Sequence, residues 1–336
     1  MIKIGLDVMG GDSAISGKTG IDSRISGGLK SLKLAPEMKL YLIGNEELVR
    51  NIVLDKGSKV DTERLDFVDV QEGTEIYNLV KQIKGGTLDG GVSAGDTGKL
   101  IKESIRLGRL QSNGQKFTPA LTNFFPKQGG GQTLVLDLGA TLAGFNSPQE
   151  MLNSYINNAL LAIAYYKSHG KKSPNLGIFN IGTEDYKGPK NLQEVYKEFK
   201  EQFGDNFIGN VEGDKLLTTD ADIVVTDAFT GNMVLKSIEG TVKVLSKEVK
   251  NNILKSKIAT GLTLLLSPYF KDFKNQYNPD KYAGAPILGV NGNIFKSHGS
   301  SNSESITSAV LRSYEYSKNG ILDKTKENLG QLTSNL

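Results

Sequence analysis

Asp222-Ile-Val-Val-Thr-Asp-Ala-Phe-Thr-Gly-Asn232, followed by Met233-Val-Leu-Lys-Ser-Ile-Glu-Gly240, reads as a buried strand, a sharp polar turn and an amphipathic helix. The turn sets Asp227, Thr230, Gly231 and Asn232 where the carboxyl end of a strand meets a helix N-terminus. In open α/β sheets that edge is where ligands bind. Small residues let a ligand approach the backbone, and the first N–H groups of a helix suit an anion. The turn has neither the Lys of a nucleotide phosphate loop nor the three-glycine dinucleotide fingerprint. It points to a small oxyanion or a polarised carbonyl rather than a nucleotide.

Outward from this turn the chain alternates strands and helices. The pattern predicts an α/β fold: a doubly wound, mostly parallel sheet with helices on both faces. Strands are expected at Ile2–Asp7, Lys39–Gly44, Leu65–Val70, Gly90–Ser93, Thr133–Asp137, Leu176–Asn180, Asn206–Val211, Asp222–Asp227 and Pro286–Val290. Helices are expected to open near Asn45 and to span Ile76–Lys84, Thr97–Leu110, Pro148–His169, Asn191–Phe203, most of Gly240–Leu266, and Ser303–Lys318. No internal repeat or interdomain linker stands out.

With 336 residues, 38% hydrophobic and 23% charged, the composition is that of an ordinary globular protein. Zero Cys excludes disulfides, Cys-ligated metals and a thiol nucleophile. The first residues, Met1-Ile-Lys-Ile-Gly-Leu-Asp7, read as a strand rather than a signal peptide, and an intracellular protein is expected. No apolar run approaches the ~20 residues of a membrane span. A net charge of +3 is too weak to imply nucleic acid.

Four further loops after apolar strands share the small-polar composition of the opening turn: Asp7-Val-Met-Gly-Gly-Asp12, Ser93-Ala-Gly-Asp-Thr-Gly98, Asp137-Leu-Gly-Ala-Thr141 and Asn180-Ile-Gly-Thr-Glu-Asp-Tyr-Lys-Gly188. Lys296-Ser-His-Gly-Ser-Ser-Asn302 precedes the last expected helix. Gly and Asp at one strand end are ordinary turn chemistry; their recurrence points to a site. Parallel strands would range the five loops along one sheet edge, where they can converge.

These segments, in this order, resemble the PlsX-type phosphate acyltransferases of bacterial phospholipid synthesis. The resemblance runs from Ile4 to about Arg312, with Phe-Ile-Gly-Asn-Val-Glu at 207–212 and His-Gly-Ser-Ser-Asn at 298–302 among its longest matches. It implies a fold related to the isocitrate and isopropylmalate dehydrogenases and to phosphotransacetylase. It also implies one acyltransferase domain over 1–330, with a helical hairpin protruding at about 245–280. The implied reaction moves a fatty acyl group from acyl carrier protein to inorganic phosphate, giving acyl phosphate, without nicotinamide, nucleotide or metal. The implied partners are acyl carrier protein, phosphate, a second copy in a homodimer, the inner face of the cell membrane and the acyltransferase that acts next. The protein would then be cytoplasmic and peripherally membrane-associated.

The residues suit that chemistry. Ser93, Gly95, Thr97 and Gly98 can supply hydroxyl and N–H donors to a phosphate at a helix N-terminus. Phosphate is itself a nucleophile and a pantetheine thiolate a fair leaving group, so alignment and oxyanion stabilisation remain for the protein. Lys187, Asn232 and His298 are candidate donors, with Asp227 able to orient Asn232 or Lys187 or simply to form the turn. Asp7, Gly10, Gly11, Asp12, Asp96, Asp137, Gly182, Thr183, Thr230, Gly231 and Ser300 complete the candidate substrate contacts. His169, ending a long helix, is expected to serve the helix terminus.

Some positions depart from the family. Asp96 stands where Asn is usual; a carboxylate beside phosphate must be turned away, protonated or paired with Lys99. Thr141 replaces an expected Asn, Thr118 an Arg and Ser13 a frequent His. Two alternatives remain open: a phosphotransacetylase-like enzyme using acyl-CoA, and a diverged, non-catalytic carrier- or membrane-binding protein.

Lys247–Phe270 sets Leu262, Leu264, Leu265, Leu266 and Phe270 between Lys247, Lys250, Lys255 and Lys257 on one side and Lys271 and Lys274 on the other. Such a tip suits an anionic bilayer surface, and equally a core or dimer-packing helix pair.

Overall fold

A computed structural model describes residues 1–11, 18–56, 62–141, 144–255 and 283–334. Asp12, Ser13 and the membrane candidates Leu262, Leu264, Leu265, Leu266 and Phe270 lie outside the described residues. The strands are β1 (Ile2–Asp7), β2 (Met38–Gly44), β3 (Leu65–Asp69), β4 (Gly90–Ser93), β5 (Gln111–Ser112), β6 (Gln115–Lys116), β7 (Ala120–Pro126), β8 (Gln132–Leu136), β9 (Leu176–Asn180), β10 (Phe207–Glu212), β11 (Ile223–Val225), β12 (Ala285–Leu288) and β13 (Ile294–Lys296). The helices are α1 (Lys18–Leu34), α2 (Glu46–Asp55), α3 (Glu75–Lys84), α4 (Thr97–Ser104), α5 (Pro148–Ser168), α6 (Lys190–Phe203), α7 (Ala228–Leu254), α8 (Ser303–Lys318) and α9 (Ile321–Thr333).

Eleven strands form one sheet in the order β10-β9-β11-β8-β7-β12-β13-β4-β1-β2-β3. The mostly parallel α/β sheet expected from the alternation is present, but mixed at its centre. β3, β2, β1, β4 and β13 run parallel to one another, as do β10, β9, β11 and β8. The pairings β13–β12, β12–β7 and β7–β8 are antiparallel. Three reversals leave the two parallel sets running in opposite senses. The five polar loops therefore lie at the carboxyl ends of two opposed sets, not along one edge of a single set. Sheet twist of roughly 20–25° per strand turns one set by roughly 80–100° over the four steps from β4 to β8.

Burial on both faces explains the continuous apolar strands. Ile4 and Leu6 of β1 are fully buried on one face, where α8 packs and Gly28 of α1 meets Leu6. On the other, Gly5 leaves room for Leu79 of α3. Helix α1 has little helical propensity, with Gly20, Gly27 and Gly28 inside it. It forms because Ile21, Ile25, Leu29 and Leu32 make one buried stripe. Gly27 lies against Ile306 of α8.

Several expected boundaries shift by one or two residues, and two changes border the polar loops. The helix expected over Thr97–Leu110 stops at Ser104, passes through a 3₁₀ turn at Ile105–Leu107 and ends at Gly108, whose φ is +92°. The strand expected over Asp222–Asp227 is confined to Ile223–Val225. The following helix opens at Ala228 because the Asp227 carboxylate accepts the Thr230 N–H at 2.8 Å and caps it. Among the described residues no helix is long and apolar enough to cross a membrane.

His169 caps α5 with its Nδ1–H on the Tyr165 carbonyl at 2.8 Å, its ring edge-on to Tyr165 and Phe124. A carbonyl can only accept, so Nδ1 carries the hydrogen. A helix C-terminus favours a cation, yet burial here pushes the imidazole pKa below its ordinary value. The Tyr165 carbonyl opposes that fall, and the charges of Lys171, Arg312 and Lys324 deepen it.

The unfolded chain takes up this proton near pH 6.5, whereas the folded chain resists it. The contribution of His169 is thus complete above about pH 6.5 and is lost as pH falls toward the lower folded value. Wild-type Tm is expected to drop more than that of His169→Phe between about pH 7.5 and about pH 5.5; parallel profiles would contradict this. A second prediction concerns α7, which approaches β8 so closely that a Cβ on Gly231 would overlap the Asp137 carbonyl oxygen. Gly231→Ala should destabilise by about 1–3 kcal/mol in denaturant titrations. Gly240→Ala on the same helix meets nothing within 4 Å and should be neutral or stabilising. Equal effects would refute the close approach.

Candidate functional site

The first cluster stands at the carboxyl ends of β1 and β4, the point where the order β3-β2-β1-β4 reverses. Asp7, fully buried, accepts the Met9 and Gly10 N–H groups at Oδ1 (3.1 and 2.8 Å) and the Ser93 hydroxyl at Oδ2 (2.6 Å). Ser93 Oγ in turn accepts the Gly95 N–H at 3.0 Å. Burial raises the Asp7 pKa; the Ser93 and backbone donors oppose this, and the charge of Glu75 adds to it. Gly10 meets the Gly95 backbone, and Gly11 meets the carbonyls of Ala94 and Gly299 and the guanidinium of buried Arg24, which also donates to the Val8 carbonyl at 3.3 Å.

The segment after β13 joins this cluster. The Ser297 N–H donates to the Ser93 carbonyl at 2.9 Å, and Lys296 Nζ reaches the Ala94 carbonyl at 3.5 Å. His298 and Ser300 are exposed. The Ser300 N–H donates to His298 Nδ1 at 3.1 Å, so neutral His298 carries its hydrogen on Nε2. Asp96 is turned into its own helix: Oδ1 accepts the Lys99 N–H at 2.7 Å and caps α4. Lys99 Nζ goes to the Gly73 carbonyl, not to Asp96. Thr97 and Gly98, half-buried, form the first turn above that cap.

The second cluster lies at the ends of β8, β11 and β9, where register pairs Val225 with Leu136 on one side and Ile178 on the other. Asp137 is fully buried, with Oδ1 accepting the N–H groups of Leu121, Gly139 and Ala140 at 2.9–3.0 Å. Its Oδ2 accepts the Thr141 N–H and hydroxyl, both at 3.1 Å. Burial raises the Asp137 pKa, while the four N–H donors pull it back. Thr141, where an Asn was expected, is thus a donor to Asp137. Exposed Asn232 packs its side chain on Gly139.

Asp227 acts as the cap of α7. Its Oδ2 accepts the Thr230 hydroxyl at 2.7 Å and the Tyr155 hydroxyl at 3.4 Å, and its own N–H donates to the Tyr155 oxygen at 3.0 Å. Burial and the nearby Asp227 charge hold the Tyr155 phenol above its ordinary pKa, so it stays protonated. Lys187 lays its stem over Gly182; Nζ stands 3.9 Å from Glu184 and 5.5 Å from the Tyr186 ring. Thr183 is exposed.

The direct contacts thus join Asp7, Gly10, Gly11, Ser93, Gly95 and the 296–300 segment in one group, and Asp137, Thr230, Gly231 and Asn232 in a second. Lys187 and Gly182 stand on the loop that follows β9, the strand beside β11. Arg24, Tyr155 and Asn210 carry no local signal in the sequence, because each works on a residue far along the chain. Asn210 lies inside the 207–212 match, which was the one available signal. Among the described residues no group of three His, Asp or Glu is placed to hold a metal.

The sequence model of the family described as "Fatty acid synthesis protein" matches residues 2–324. A protein named Phosphate acyltransferase from Campylobacter concisus is 32% identical over 342 residues, covering 98% of both chains. Its namesake from Thermotoga maritima is 34% identical over 315 residues, covering 92% of this chain and 91% of that one. Among solved structures, a branched-chain phosphotransacylase from Enterococcus faecalis superposes with TM-score 0.56 at 16% identity, covering 96% of this chain and 99% of that one. A 4-hydroxythreonine-4-phosphate dehydrogenase from Klebsiella pneumoniae gives 0.53 at 11%, covering 94% and 100%. At these identities the two structures bear on the fold alone, which is the dehydrogenase-like α/β fold. The family match and the near-complete relatives go further: the chain belongs to the fatty acid synthesis protein family of phosphate acyltransferases.

Proposed function

We propose that this phosphate acyltransferase takes its fatty acyl group from the phosphopantetheine thioester of acyl carrier protein. A phosphate oxygen attacks the thioester carbonyl carbon, and the carbonyl electrons move onto oxygen. The tetrahedral oxyanion then collapses, the C–S bond breaks, and the leaving thiolate takes up, directly or through water, the proton that the attacking hydrogen phosphate gives up. The products are acyl phosphate and free carrier protein. The single observation that carries this reading is the side-by-side ending of β8, β11 and β9, which sets Asn232 and the Lys187 loop at one edge.

In this reading the N–H groups of Thr97 and Gly98 and the Thr97 hydroxyl, above the Asp96 cap, hold phosphate, since the Ser93 hydroxyl and the Gly95 N–H are spent within the Asp7 cluster. Asn232 and Lys187 stabilise the oxyanion, and the Nε2–H of His298 serves phosphate or oxyanion. Phe229 and Met233, 77% and 54% exposed and one helical turn apart beside Asn232, offer apolar surface to the thioester chain. Lys187 and Lys190 suit the acidic carrier protein. The Leu- and Lys-rich pattern of Lys247–Phe270 supports peripheral contact with the inner membrane face of a cytoplasmic homodimer.

Phosphate-dependent thiol release from acyl carrier protein tests the donor. Release from acyl-CoA alone would transfer the reading to a phosphotransacetylase-like enzyme, and no release from either would defeat it. Lys187→Ala and Asn232→Ala should each lower kcat on the order of 10²-fold. Both residues are solvent-accessible, so Tm should move little. Full activity in either variant removes that residue from the site.

A further inference from the structure

The loop bearing Lys187 has little packing to hold it: Ile181 and Tyr186 are 80% and 64% exposed. The Lys187–Glu184 pair, 3.9 Å apart and solvent-accessible, is worth no more than about 1 kcal/mol. Ordering a Lys side chain costs about as much or more. The charge pair therefore does not fix the ammonium.

Three amide side chains hold the loop backbone instead. Asn210 Nδ2 donates to the Glu184 carbonyl at 2.8 Å. Gln193 Nε2 donates to the Tyr186 and Gly188 carbonyls at 2.7 and 3.0 Å. Asn180 Nδ2 donates to the Lys187 carbonyl at 3.1 Å and to Asn210 Oδ1 at 3.1 Å, while Asn180 Oδ1 accepts the Ile181 N–H at 2.8 Å. The carbonyls of residues 184, 186, 187 and 188 are thus all taken by amides from β9, β10 and α6. Gly188, at φ +81°, presses on Asn180, and the aliphatic stem of Lys187 lies on Gly182. With the loop's backbone and the Lys187 stem both seated, the sweep of Nζ is narrow.

We propose that Asn210, Asn180 and Gln193 are positioning residues that clasp the 181–188 loop and thereby aim Lys187 at the reacting thioester. The proposal rests on the functional reading of Lys187 above. None of the three amides is assigned contact with substrate, so each acts through the lysine. A misplacement of about 1 Å costs up to roughly 10²-fold in rate.

The test pairs kinetics with limited trypsin cleavage after Lys187, using Asn210→Ala and the less buried Gln193→Ala. Each variant should lower kcat/KM about tenfold or more in the wild-type background and less than about twofold in a Lys187→Ala background. In the chains that retain Lys187, each should also speed cleavage of the Lys187–Gly188 bond several-fold, the less buried Gln193→Ala doing so at unchanged Tm. Equal kinetic losses in both backgrounds would mean a structural role independent of Lys187. Wild-type activity and wild-type cleavage in both variants would overturn the clasp. Absence of phosphate-dependent thiol release in the wild-type protein would remove the functional reading alone, because the cleavage rates still decide whether the amides hold the loop.

Discussion

A carboxylate with no access to water, ringed by backbone N–H groups, is the constraint on which the centre of this protein depends. Asp137 takes the N–H of Leu121 from β7 and those of Gly139, Ala140 and Thr141 from the turn after β8. One side chain thereby ties the antiparallel centre of the sheet to its second parallel set and shapes the turn on which Asn232 rests. Each donor orphaned in such a place would cost about 1–3 kcal/mol. Asp7 repeats the device at the end of β1, gathering Met9, Gly10 and Ser93. In both, burial opposes the charge and hydrogen bonds support it.

The proposed site follows from how these two strand ends are disposed. The odd number of antiparallel steps between the parallel sets sends their carboxyl ends in opposed senses, and the accumulated twist turns one set across the other. A reaction with two partners suits such an arrangement. One end offers the N–H groups of Thr97 and Gly98 and the Thr97 hydroxyl at a helix N-terminus to an anion. The other carries an exposed amide, an ammonium and apolar surface for a thioester. Neither end alone has the inventory for acyl transfer to phosphate.

The strand ends were legible in the sequence because their chemistry is local: Asp followed by Gly, Ser or Thr within four residues is both a turn signal and the observed hydrogen-bond pattern. The parallel strands were legible from apolar runs buried on both faces. The antiparallel centre was not, since β7 carries Thr122 and Asn123 inside its apolar run and β13 has only three residues. Helix α1 was hidden by its glycines, which make sense only beside Ile306 and the β1–β2 surface. Tyr155, Asn210 and Gln193 were invisible as site residues because their partners lie 72, 26 and as few as 5 residues away in geometries that no spacing announces. Asp96 shows the converse. A carboxylate that looked unfavourable beside phosphate is an ordinary helix cap, and the departure from Asn changes the donor set less than composition implied.

The most direct measurement is a crystal structure of the protein with inorganic phosphate and an unreactive acyl-pantetheine thioether. Phosphate is expected within about 3 Å of donors in the Ser93–Gly98 segment, with the thioether carbon that replaces the thioester carbonyl facing Asn232 and Lys187 across it. Phosphate and pantetheine bound at only one of the two strand-end groups, with the other open to solvent, would contradict this arrangement.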